Sequence, residues 1–93
     1  MNISFVSKNL DLTGGLQTFI SSKLSKFSSR GFSRIQVILH IDKRKKGDMQ
    51  DTVVELIGDL KGKPIAVREQ AQDFYKAFFG AISKMKNRLG KEA

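Results

Sequence analysis

His40 is the one histidine of the sequence, and cysteine is absent. Alternation puts His40 on the non-core side of a strand, beside Gln36 and Asp42. No serine or cysteine stands in a triad relation to it, and no second histidine is available to complete a metal site. A solvated surface histidine is the simpler reading. Asp42, Asp48, Asp51, Glu55 and Asp59 gather around a central hairpin, and paired carboxylates can hold a hard cation. Their spacing is not that of a calcium loop, and the lysines in the same turn would repel the ion. Gly58-Asp59-Leu60-Lys61-Gly62-Lys63 resembles a phosphate loop only superficially. Its glycines are too close together, Pro64 follows Lys63, and a hairpin replaces the required strand-to-helix step. The sequence thus implies no catalytic residue, no metal and no cofactor.

The basic residues are more informative. Lys23, Lys26 and Arg30 recur at spacings of three and four, so they share one face of a helix. Lys76, Lys84, Lys86, Arg88 and Lys91 load a second helix. Residues 13–30 carry three bases and no acid, and residues 74–91 carry five bases and no acid. A surface shaped for solubility alone would interleave both signs. Segregated positive charge suits the tracking of phosphates. Lys43, Arg44, Lys45 and Lys46 form a second basic patch at a hairpin turn, readable either as a phosphate contact or as a solvated tip. The aromatic residues mostly fit core stripes and do not interleave with the bases, so backbone recognition is favoured over base stacking.

These residues need elements to hold them. Asn2 to Ser7 alternates as a short first strand. Thr13 is a candidate N-cap for a helix whose stripe is Leu16, Phe19, Ile20, Leu24 and Phe27, failing near Ser28 to Gly31. Ser33 to Asp42 alternates strictly, with Ile35, Val37, Leu39 and Ile41 on one face. Thr52 to Leu60 is the next strand, a tight Lys61-Gly62-Lys63 turn follows, and Pro64 opens a last strand to Glu69. From about Asp73 to Leu89 a second helix carries the stripe Phe74, Phe78, Ile82, Met85 and Leu89, with Tyr75 and Phe79 at its margins. The expected fold is an α+β, β-α-β-β-β-α two-layer sandwich, with both helices on one face of a mixed four-stranded sheet. The helical crossover makes its flanking strands parallel, and the tight turns make the later ones antiparallel. The open face would then present Ile38, His40, Val53, Glu55 and Ile57, a possible site of self-association that is not predicted.

Ninety-three residues with a formal net charge of +8 amount to one small, basic domain. The charge points to a polyanionic partner, nucleic acid before membrane. No apolar run approaches the roughly 20 residues of a membrane helix, and no signal peptide opens the chain. The expectation is a cytoplasmic domain with no membrane and no small-molecule substrate.

Over almost its whole length the sequence resembles the ribosome hibernation-promoting factors, also called ribosome-associated inhibitors or sigma-54 modulation proteins. The resemblance rests on Met1-Asn2-Ile3 through Asn9-Leu10-Asp11-Leu12-Thr13, on Leu16-x-x-Phe19-Ile20-x-x-Lys23-Leu24-x-Lys26-Phe27, and on Ile35-x-Val37 and Val54-Glu55-Leu56. Its most distinctive part is Asp73-Phe74-Tyr75-x-Ala77 running into Ile82-x-Lys84-Met85. It implies the same fold and a partner, the small ribosomal subunit and its RNA, bound in the channel of messenger and transfer RNA so that translation is blocked. Lys23 and Lys26 match basic positions of the first helix and Lys84 that of the second. Gln17 and Asn87 stand where the family often has arginine. The resemblance also implies a single ribosome-binding domain over residues 1–93, a short form or an isolated N-terminal domain that does not pair ribosomes by the long-form route. Two other readings stay open: a general double-stranded RNA-binding module, and a protein–protein module using the open sheet face.

Overall fold

A computed structural model describes residues 1–43 and 50–92, with side chains over 1–42 and 51–90. The elements run β1 (Asn2–Lys8), α1 (Gly14–Leu24), a 3-10 segment (Ser25–Arg30), β2 (Phe32–Lys43), β3 (Gln50–Leu60), β4 (Lys63–Ala71) and α2 (Phe74–Glu92). The sheet order is β1-β2-β3-β4. β1 lies parallel to β2, while β2–β3 and β3–β4 are antiparallel. This is the β-α-β-β-β-α arrangement expected from the alternation and the two stripes.

Each helix starts on a side-chain cap. Thr13 Oγ1 accepts from the Leu16 backbone N–H at 3.1 Å, satisfying a donor that the first turn leaves without a partner. Asp73 Oδ1 does the same for the Tyr75 N–H at 3.1 Å. Asp73 is therefore the residue before α2 rather than part of its first turn. The first helix ends differently from the expected single stretch. After Leu24 the chain tightens into the 3-10 segment, and Phe27 points into the core from there. Its ring meets Phe32 edge-on at 5.6 Å.

The core lies between the sheet and the helical layer. Ile20, Leu24 and Phe27 from the first helical stretch meet Phe78, Ile82 and Met85 of α2 over Ile35, Val37, Leu39, Val54 and Leu56. Lys61 and Gly62, with φ of 52° and 86°, make the two-residue turn that joins β3 to β4, and left-handed residues suit such a hairpin. Asp59 Oδ1 holds that turn by accepting from the Gly62 N–H at 2.9 Å. Pro64 pairs with Asp59 near the start of β4, an edge strand, where a missing donor is tolerated.

The open sheet face differs from expectation at one residue. Val53 belongs to it by register, between His40 on β2 and Gln70 on β4, yet it is fully enclosed. A short β-branched side chain on a central strand sinks between longer cross-strand neighbours. Ile38, Glu55 and Ile57 are half-buried. The apolar patch that a sheet-face contact would use is thus smaller than the alternation alone suggests.

Candidate nucleic-acid interface

The helical layer brings Lys23, Lys26 and Arg30 against Lys86 of α2. Lys26 makes a side-chain contact with Lys86, and that contact, then the Lys86 charge, slight desolvation and the charges of Lys23 and Arg30, hold Lys26 below lysine's ordinary pKa. Four cations share this seam, and like charges at close range disfavour the protonated form. Lys26, Ser29, Arg30 and Lys86 line a cavity of about 130 Å³ floored by Phe27 and Leu89. Its charged walls are all positive.

Lys84 and Arg88 do not join that seam. At 100° per residue, positions 84 and 88 share one face of α2 while 86 lies roughly 200° away from 84. They turn instead toward β4, where Ala66, Val67, Arg68, Lys84, Asn87 and Arg88 line a hollow of about 370 Å³. The basic residues of α2 thus divide into two cationic groups on its opposite flanks.

Lys84 is also more constrained than its sequence suggests. Its Nζ donates to the Arg68 carbonyl oxygen at 2.7 Å and lies 3.6 Å from Glu69 Oε2. A β4 carboxylate thus partly neutralises a lysine from a helical stretch, 74–91, that has no acid of its own. Gly80 makes this possible: a Cβ there would fall 2.7 Å from the Glu69 side chain. The sequence reasoning missed Glu69 because the pairing exists only once β4 packs on α2.

Lys76 is exposed in the first turn of α2, about 12 Å along the axis from Lys84, and joins neither group. Of the secondary patch, Arg44, Lys45 and Lys46 lie outside the described residues, as do the side chains of Lys43, which ends β2, and of Lys91. His40 is half-buried on the open face. Asp42 and Asp51 oppose each other in register, and the Gln70 amide donates to Asp51 Oδ2 at 2.9 Å. Among the described residues no group of three or more His, Cys, Asp or Glu is placed to hold a metal. A hollow of about 410 Å³ at one end of the open face sets Arg34 against Asp59, so it lacks the charge excess of the helical side.

The aromatic residues correct the sequence reading. Tyr75 is 51% exposed and Phe79 45%. They stand one turn apart on α2, and both meet Phe19 of α1 edge-on, at 5.4 and 6.2 Å between centroids. Lys23 Nζ lies 5.7 Å from the Phe19 ring centre. Bases and aromatics therefore do interleave where the two helices meet. Tyr75 and Phe79 lie off the buried stripe by the helical period, which was the available signal.

Known proteins share this architecture and pattern. The sequence profile of the family described as sigma 54 modulation protein / S30EA ribosomal protein matches residues 3–93. A ribosomal subunit interface protein from Coxiella burnetii superposes with a TM-score of 0.81 at 21% identity, over 99% of this chain and 97% of that one. The N-terminal domain of Protein Y from Thermus thermophilus superposes with a TM-score of 0.82 at 22% identity, over 100% of both chains. No curated protein sequence matches the chain.

Proposed function

This chain belongs to the sigma 54 modulation protein / S30EA ribosomal protein family, and on that premise we propose that its helical face binds ribosomal RNA of the small subunit and blocks translation by occupying the channel of messenger and transfer RNA. The protein is then a stoichiometric binder rather than a catalyst, working in the cytoplasm as part of a stress response that idles ribosomes. The names of its structural neighbours, a ribosomal subunit interface protein and Protein Y, agree with this reading.

The observation that carries it is the seam of Lys23, Lys26, Arg30 and Lys86. A cluster that depresses the pKa of its own lysine opposes the isolated fold, and a phosphate chain laid along it removes the repulsion. Each neutralised phosphate also releases counterions. Lys84 and Arg88, with Arg68, supply a second row on the far flank of α2. The Lys43–Lys46 turn adds a further contact if it reaches the same RNA.

The capping geometry separates this reading from a general duplex-RNA module. A helix N-terminus is a ready phosphate site, but Asp73 fills that of α2 with its own carboxylate. Competition tests the proposal. Protein bound to purified small subunits is titrated with messenger and transfer RNA, and translation is followed in the same extract. Displacement by either RNA, with matching recovery of translation, is expected. Binding that persists unchanged beside both RNAs would refute occlusion.

A further inference from the structure

We propose that Tyr75 and Phe79, with Lys23 beside them, form a stacking site for an unpaired nucleobase. The inference rests on the RNA-binding reading and adds to it a contact with a base, where the cationic seam contacts only phosphates.

The geometry is that of a supported platform. Phe74 and Phe78 stack nearly parallel at 5.6 Å, Phe78 is fully buried, and Phe19 contacts Tyr75, Phe78 and Phe79. The two exposed rings are thus held by rings beneath them, so little side-chain freedom is lost when a base settles on one. Two half-exposed aromatics one helical turn apart leave apolar area in water that the core does not need. The surrounding charge selects the occupant. Lys23 and Lys76 are exposed, and neither helical stretch, 13–30 or 74–91, contains an acid. A second copy of this surface would be repelled, whereas a nucleotide brings a π face for the rings and a phosphate for the lysine. The platform adjoins the basic seam through Lys23, which serves both.

The chain has one tyrosine and no tryptophan, so its tyrosine emission reports Tyr75 alone. The probes are a short single-stranded adenosine oligomer and an abasic strand with the same phosphates. The wild-type protein is expected to bind the adenosine oligomer roughly 5- to 150-fold more tightly, the range for one stacked base, with quenching of tyrosine emission by that oligomer only. Tyr75→Ala with Phe79→Ala should bring the ratio near one, leave abasic-strand binding unchanged and leave the circular dichroism intact. Tyr75→Phe should keep the ratio. Equal wild-type affinity for both strands overturns the stacking site while leaving phosphate recognition standing. No binding to either strand overturns both. Self-association, or attachment to anionic lipid vesicles, that the same two substitutions abolish would give the ridge to another partner and overturn the proposal.

Discussion

Among the described residues, Lys26 and Lys86 hold the sharpest electrostatic feature. Lys26 titrates below its ordinary value because the Lys86 amine, then Lys23 and Arg30, disfavour its charge. A lysine whose folded pKa lies below its unfolded one destabilises the fold while protonated. That penalty is full below the folded value and is relieved as pH rises through the window up to the unfolded one. Stability should therefore climb through this alkaline window in the wild type, and Lys86→Gln should flatten the climb in thermal melts followed against pH. The same substitution should raise Tm at low salt, with the gain vanishing in high salt as screening removes the repulsion. It should also weaken RNA binding and lower the salt slope by about one. Opposite signs for stability and affinity would mark the seam as a binding surface; equal signs would make it a structural one. Gly80→Ala makes a separate residue-scale prediction. The new methyl displaces the partly exposed Glu69 side chain, 2.7 Å away, frees Lys84 from its carboxylate and raises affinity for RNA, while stability changes little, because the cost of moving Glu69 is offset by the roughly 1 kcal/mol by which alanine favours a helix over glycine. Denaturant unfolding and RNA titration of this one variant check both halves.

At the level of elements, the strand alternation and the two apolar stripes were legible because period and burial coincide along β2 and α2. The 3-10 continuation was not, since Phe27 keeps the helical spacing while the serines around it tighten the turn. Val53 escaped because alternation assigns a face but not a depth. The division of the α2 cations was legible in principle, as residues 84 and 86 lie on opposite sides of any helix, but locating Glu69 beside Lys84 required the packing of β4. The caps make an element-scale prediction. Asp73→Ala removes the oxygen that accepts from Tyr75 and should cost about 1 kcal/mol. It should also open the N-terminus of α2 to anions, so inorganic phosphate should stabilise the variant more than the wild type in a thermal shift series.

For the whole molecule, the layered fold explains why a small chain can carry such unbalanced charge. One sheet face buries its apolar residues against two helices, leaving the outer helical surface with no structural duty. Among the described residues, the cations of the helical layer are split by α2 into a seam toward α1 and a row toward β4. If about six phosphates are engaged, log K should fall with log salt by a slope of roughly −4 to −5. The most direct test is sedimentation of purified small subunits with wild-type protein and with a variant carrying Lys23→Glu, Lys26→Glu, Lys86→Glu and Arg88→Glu. Wild type should travel with the subunit and be released by salt at that slope, while the variant, folded by circular dichroism, should stay at the top of the gradient. Co-sedimentation of the variant at wild-type level would contradict the account.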